Sequence, residues 1–369
     1  MSRYGSMQIR DVIIVGAGPA GLAAGIAARR FGLDCSIVEK GVLVNSIFRF
    51  PVNMVFFTTP ELLEIGGLPL VSPFEKPTRL EALKYYRRVV DTFELPIEFE
   101  EQVFAIEREQ GPFDSAQGRP DRAEMFAVET RSSKGVRRIR HSRNVVLAVG
   151  YFDHPNLLGV PGEDQPHVFH YYSEPHGYYR KRVVIVGGGN SAAETALELF
   201  RSGAHVTLVH RHATLKPSIK YWVRPDIDNR IKEGSVTALF NTHVIEVQPT
   251  TVIVERDGKR DEVPADAVFL LTGYHPDGDL YRRAGIRLKK DTMAPELNQA
   301  TFETNVPGLF LAGGAICGRD TSNIFIENGR FHGEKIVEVI AQRLGKRAPT
   351  GAKVPARAEA KEQRAKEEG

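Results

Sequence analysis

A glycine loop near the N-terminus constrains this chain more than any other feature. It lies in Asp11-Val12-Ile13-Ile14-Val15-Gly16-Ala17-Gly18-Pro19-Ala20-Gly21-Leu22. The β-branched run before it reads as a buried parallel strand. The glycines predict a tight turn, and the Ala-rich stretch from Ala20 to Arg30 predicts a helix behind it. In this reading Gly16 permits the turn, Gly18 admits a pyrophosphate to the backbone and Gly21 lets helix pack on strand, with Pro19 and Ala20 completing the loop. The helix start offers free N–H groups and a positive dipole end to phosphate. A second strand, Asp34-Cys35-Ser36-Ile37-Val38-Glu39, ends in an acid suited to the hydroxyls of an adenosine ribose, and Lys40 follows it.

The signature occurs twice. Arg182-Val183-Val184-Ile185-Val186-Gly187-Gly188-Gly189-Asn190-Ser191-Ala192 repeats strand, glycines and helix start, and a further strand, His205 to Val209, ends in His210-Arg211 instead of an acid. An acid suits a free ribose hydroxyl, whereas Arg suits a planar, bidentate contact with a 2′-phosphate. Different strand-end chemistry predicts two different dinucleotides, FAD at the first loop and NADPH at the second. Gly187, Gly189, Asn190, Ser191 and Ala192 are the candidates for the NADPH pyrophosphate, and His210, Arg211 and Lys216 for its 2′-phosphate.

With 369 residues, of which 42% are hydrophobic, the chain is long enough for two domains with substantial cores. Residues 345–369 hold seven Lys/Arg and four Glu, which accounts for the whole net charge of +3. The body is therefore neutral, and nothing in it argues for nucleic acid or a membrane as partner. No apolar stretch is long enough to span a bilayer and no signal-peptide core opens the chain, so the cytoplasm is the expected compartment. The two cysteines, Cys35 and Cys317, are far apart and no Cys-x-x-Cys exists, which argues against a cysteine-bound metal cluster or a vicinal redox dithiol; no metal is expected.

Along the chain, residues 41–77 form a Pro-, Gly- and aromatic-rich segment, read either as a cofactor cover or as a packed surface loop. A helix is predicted over 78–93, with Leu80, Leu83, Tyr86, Val90 and Phe93 near one face. Two strands follow around 98–106 and 125–130, separated by a turn-rich insert from Gln110 to Arg122. Buried strands then end at Gly150 and at Gly273, where glycine suits close backbone approach to a cofactor. A last strand runs into Gly313-Gly314, and a helix is expected over 324–344. These glycines, with Ile324 and Phe325 at the helix start, would face the flavin pyrimidine, where a helix dipole favours the anionic reduced form. The fold class expected is α/β, with two Rossmann-like domains, the second inserted in the first. FAD would be held by 1–160 and 288–345 and NADPH by 161–287, while 346–369 would form a flexible charged tail.

Several unusual segments sharpen this reading. They are Phe56-Phe57-Thr58-Thr59-Pro60-Glu61-Leu62-Leu63-Glu64-Ile65-Gly66, Lys76-Pro77-Thr78-Arg79, His170-Tyr171-Tyr172, Gly188-Gly189-Asn190-Ser191-Ala192, Ser218-Ile219-Lys220 and Ile324-Phe325-Ile326-Glu327-Asn328-Gly329-Arg330-Phe331-His332-Gly333. On these the chain resembles the thioredoxin-reductase structural class and, more closely, the bacillithiol-disulfide-reductase-like (YpdA-type) flavoproteins, over about residues 9–344. The resemblance implies an NADPH-dependent oxidoreductase that passes hydride through FAD to a small-molecule acceptor, a low-molecular-weight thiol disulfide. The class is often dimeric, so a homo-oligomer is expected.

Two departures stand out. Where most flavoproteins of this class carry an acid after the last glycine turn, this chain has Gly314, a replacement the family shares. Where the bacillithiol-linked reductases typically carry a cysteine in the first loop, this chain has Ala20. Ala20 cannot form a mixed disulfide, so disulfide reduction would run directly from flavin or through Cys317, the one candidate catalytic residue; Cys35 reads as core. Other outcomes of the same sequence are a ferredoxin or quinone reductase, a flavin monooxygenase and a non-catalytic dinucleotide sensor.

Overall fold

The computed structural model describes residues 8–110, 124–321 and 323–347. Most of the turn-rich insert and of the charged tail, and the first seven residues, lie outside the described residues. The chain forms two compact units. Among the described residues the first takes 8–48, 55–153 and 275–347, and the second takes 49–54 and 154–274.

The first unit is built on a seven-stranded sheet. Ile97–Glu98, Cys35–Val38, Ile9–Val15 and Arg137–Leu147 run parallel in that order, and Glu124–Ser132 and Glu101–Gln110 extend the sheet antiparallel. Arg137–Leu147 changes partner along its length: residues up to Ser142 pair with Glu124–Ser132, while Val145–Leu147 pair with the late strand Leu309–Leu311. Val15, Leu147 and Leu311 stand in one row, so three strands reach their carboxyl ends at the same level. That edge is where open α/β sheets bind ligands.

One sheet face buries Ile13, Val15, Val145, Leu147, Leu309 and Leu311 with Tyr281. Each such side chain contributes about 1.5–3 kcal/mol. Buried residues of the Pro19–Arg30 helix, among them Leu22 and Ile26, complete the core. The C-terminal helix His332–Arg343 lies against that helix at backbone distance. A Cβ on Gly333 would come within 2.5 Å of the Ala24 nitrogen, so only glycine allows the approach.

The second unit carries a five-stranded parallel sheet in the order Val236–Phe240, His205–His210, Arg182–Val186, Ala267–Leu270, Val168–Phe169. Alternation along Arg182–Val186 decides its layers. Val183 and Ile185 point to a core shared with the Asn190–Arg201 helix, whereas Val184 and Val186 meet Val247, Val252, Val254 and Val263 from the antiparallel sheet of His243–Val247, Thr251–Arg256 and Lys259–Pro264. The short excursion 49–54 belongs to this unit. Its Val52 N–H donates to the Ser173 carbonyl (2.9 Å), Asn53 donates to Glu198 (3.1 Å), and the Arg49 guanidinium lies 4.1 Å over the Tyr171 ring. The segment 41–77 is thus divided between the two units.

Two local expectations are corrected. The helix after Thr78 buries Ala82, Tyr85, Tyr86 and Val89, and leaves Leu80 exposed. The true stripe starts two residues later than the leucines suggest, with both tyrosines in it. The expected helix over 324–344 is two helices, Ile326–Gly329 and His332–Arg343. Gly329 sits against the Gly313 backbone, where a Cβ would come within 3.1 Å of the Gly313 Cα, and the chain bends there to let the second helix reach Pro19–Arg30. No helix among the described residues is long and apolar enough to cross a membrane.

Candidate functional site

The glycines of the first loop divide by cause. A Cβ on Gly16 would come within 2.5 Å of the Ala148 carbonyl oxygen, and one on Gly21 would overlap the Gly16 carbonyl. Both are glycine because protein atoms fill the space. Gly18 is different, since a Cβ there would meet no protein atom within 4 Å. The protein itself does not require Gly18, whereas a group lying on the backbone would. The helix behind it starts with Pro19 at its first position, no side-chain cap and no acid in its first turn. By contrast the Arg79–Phe93 helix is closed by a capping box: Glu81 N–H donates to Thr78 Oγ1 (3.2 Å) and Thr78 N–H to the Glu81 carboxylate (2.8 Å). Of the two helices, the one at the glycine loop keeps its N-terminal donors free for an anion.

Glu39 is buried at the end of Cys35–Val38. Its two carboxylate oxygens accept from Ala17 N–H and Gly41 N–H, each at 2.8 Å. Burial raises its pKa, opposed by these two donors. Each oxygen retains lone-pair capacity for a ribose hydroxyl. Lys40 turns to Asp153 (3.0 Å), bracing the loop beyond Gly150.

The closing turn Gly313–Ile316 lies at the same sheet edge. The Gly313 N–H donates to Nδ1 of buried His332 (3.2 Å), whose ring stacks on Phe302 at 4.2 Å. A Cβ on Gly313 would come within 2.8 Å of the Ala20 methyl, so the position expected to hold a thiol faces this turn directly. Phe325 is exposed and meets Phe57 edge-on at 5.7 Å, and the Ile324 side chain packs beside Gly329. Cys317 is 9% exposed, and burial pushes its thiol up to about 11 against a lowering contribution from the Ile324 N–H. Cys35 is likewise buried and pushed up to about 11. Neither is a thiolate at neutral pH.

In the second unit the pattern of the glycines repeats. A Cβ on Gly187 would come within 2.5 Å of the Leu271 carbonyl, while one on Gly189 would meet nothing nearer than Lys216 Cδ at 3.9 Å. The Asn190–Arg201 helix also begins without a side-chain cap or an acid in its first turn. Ser191 is exposed at that start, and Ala192 is turned into the core. Asn190 clamps a later loop, donating to the Ser218 carbonyl (3.2 Å) and accepting from Lys220 N–H (3.0 Å), while Lys216 N–H donates to the Gly188 carbonyl (2.9 Å). Gly273 ends the neighbouring strand with φ +95.

His210 is 6% exposed, and its ring occupies the space a side chain at Gly188 would need. Burial lowers its pKa, helped by His212, Lys216 and Arg211, and its Nε2 has no protein partner. The structure therefore places a neutral His210 beneath the turn. Arg211 and Lys216 are exposed, and the Arg211 side chain donates to His212 (3.2 Å). His212 and Tyr151 lie beside these turns and were passed over by motif reading, while Gly188 and His332 were quoted within motifs without a role of their own. The extra glycine of the second loop was a signal for the His210 ring, but nothing local marks Tyr151 or His332.

These two turns at the carboxyl ends of parallel strands define a flavoprotein oxidoreductase with two dinucleotide sites. Residues 13–313 match the pyridine nucleotide-disulphide oxidoreductase family, and the chain belongs to it. Members of this family work with FAD and NADPH, and the open cradles at Gly18 and Gly189 fit those groups. The chain is 39% identical to the bacilliredoxin reductase Bdr of Bacillus subtilis (strain 168), over 90% of this chain and 97% of that one. It is also similar to the solved bacillithiol disulfide reductases Bdr (YpdA) of Bacillus cereus (38% identity, TM-score 0.85, 91% and 100% covered) and Staphylococcus aureus (36%, 0.82, 91% and 99%).

Proposed function

We propose that this oxidoreductase uses NADPH to reduce a low-molecular-weight thiol disulfide of the bacillithiol type, and that no protein thiol takes part. FAD, when bound, supplies the two-electron chemistry between nucleotide and acceptor. In this reading Gly16, Gly18, Pro19, Ala20 and Gly21 hold its pyrophosphate end, and Glu39 takes the ribose hydroxyls. Gly150, Gly313 and Gly314, with Ile324 and Phe325, border its ring. Gly187, Gly189, Ser191 and the helix start hold the NADPH pyrophosphate, with Asn190 fixing the loop over it. Arg211 and Lys216 face the 2′-phosphate, with neutral His210 as the wall beneath.

The observation that carries the proposal is the state of the three positions where thiol chemistry would be sought. Ala20, against Gly313, has no sulfur, and Cys35 and Cys317 are buried and protonated. The stoichiometry balances without them. One NADPH gives two electrons and one proton; the disulfide takes both electrons and two protons, the second from solvent, and leaves as two thiols. The names of the similar proteins favour this acceptor class. The test is an anaerobic NADPH titration of the yellow protein, followed by bacillithiol disulfide. Bleaching of the flavin absorption and its recovery on adding disulfide is the expected result. Bleaching with recovery only by a quinone or ferredoxin would replace this acceptor by the second reading, which the absence of a thiol at position 20 also suits. No bleaching would overturn the enzyme assignment.

A further inference from the structure

The closing turn has its own side-chain problem. Gly314 lies just beyond the carboxyl end of Leu309–Leu311, where Val15, Leu147 and Leu311 end level. A side chain at 314 is excluded, because its Cβ would lie 2.7 and 2.8 Å from Cδ1 and Cε1 of Tyr151. The Tyr151 ring reaches this place because the preceding Gly150 has φ +65, a left-handed conformation that reverses the chain at the end of Arg137–Leu147. Lys40 and Asn45 hold Asp153 on the far side of the turn, at 3.0 and 3.5 Å, which fixes the loop that carries the ring. Meanwhile the Gly313 N–H is spent on His332 and the Gly314 carbonyl accepts from Cys317 N–H (3.2 Å), so the turn's own polar groups are partly committed to protein.

From this geometry we infer that Tyr151 is the cofactor-positioning residue of the closing turn, its ring occupying the side-chain space of position 314 and its phenol hydrogen-bonding bound FAD where it borders that turn. The inference rests on the FAD reading of the first unit. Burial, with Cys317 and Glu327 adding to it, pushes the phenol up to about 12, so it is a neutral donor at any working pH. The turn thus presents the cofactor with a neutral hydroxyl where a carboxylate at 314 would present a charge. Position 314 and position 151 are coupled by volume, and only one of them carries a side chain toward the site.

The test uses the full-length holoprotein and four variants: Tyr151→Phe, Tyr151→Ala, Gly314→Asp and the double variant Gly314→Asp/Tyr151→Ala. FAD dissociation constants are read from flavin fluorescence, together with the flavin absorption spectrum and midpoint potential, and thermal melts of the apoproteins monitor folding. Tyr151→Phe keeps the ring and is expected to weaken FAD about fivefold by loss of one hydrogen bond. Tyr151→Ala is expected to weaken it more than tenfold. Gly314→Asp alone is expected to lose FAD, and the double variant to regain it with a midpoint potential below that of wild type, since a carboxylate disfavours the anionic reduced flavin. FAD affinity and spectrum unchanged in Tyr151→Phe would overturn the hydrogen bond. Gly314→Asp binding FAD normally with Tyr151 in place, or a double variant no better than Gly314→Asp, would overturn the shared volume. Wild type that takes up no FAD would instead remove the reading on which the inference rests.

Discussion

Ala20 and His332 flank the closing turn and show how single residues set its chemistry. Ala20 contributes only a methyl facing Gly313, and this absence of sulfur was legible in the sequence because the glycine loop fixes the position by local spacing. The role of His332 was not legible even though it lies in a quoted segment, since its bond to Gly313 joins residues nineteen positions apart that no local spacing links. Burial lowers its pKa to about 4, so in the folded chain Nδ1 stays an acceptor for the Gly313 N–H. The unfolded state binds a proton near pH 6.5. Stability from this group is therefore fully present above about pH 6.5 and is lost as pH falls toward 4, by roughly 3 kcal/mol at most. Replacing His332 by Gln, which keeps an acceptor but does not titrate, should flatten the pH dependence of unfolding between pH 6.5 and 4.5. Equal slopes for wild type and His332→Gln in urea melts across that range would contradict this role.

Among the elements, the two strand–turn–helix units were the most legible part of the chain. Gly16, Gly21 and Gly187 are glycine because a neighbouring carbonyl fills the space, whereas the space at Gly18 and Gly189 is open, so packing accounts for only part of the motif. What sequence reading could not distribute was side-chain direction. His210 was expected at a phosphate, and the structure turns it under Gly188, twenty-two positions away in the chain. Likewise the face expected of 78–93 included Tyr86, which is buried, but put Leu80 where the structure has Ala82, Tyr85 and Val89, and the two phenols donate to the carbonyls of Leu68 (Tyr85) and Leu63 (Tyr86). The His210–Gly188 packing makes its own prediction. Gly188→Ala would drive a methyl into the imidazole and is expected to destabilise the second unit by about 1–3 kcal/mol. NADPH affinity should drop at least tenfold while flavin content stays that of wild type. An unchanged NADPH dissociation constant, measured by fluorescence titration, would show that the ring has room to move.

At the scale of the whole molecule, the α/β class and the presence of two dinucleotide-binding units followed from the repeated signature, because each signature is a complete local device. The assignment of residues 49–54 to the second unit did not, since that stretch has no periodicity and is placed by scattered contacts such as Val52 to Ser173 and Asn53 to Glu198. The acceptor is decided at this scale too, by how electrons leave the molecule. The central claim is that they leave without a protein thiol, and the most direct measurement is anaerobic reoxidation of the NADPH-reduced Cys35→Ser/Cys317→Ser variant by bacillithiol disulfide, followed by stopped-flow absorbance from pH 6.5 to 9. The account predicts a rate within about twofold of wild type and no tenfold rise per pH unit, since no thiol pushed up to about 11 has to ionise. Loss of reoxidation in the variant, with its flavin still reduced by NADPH, would contradict it and place a cysteine in the path.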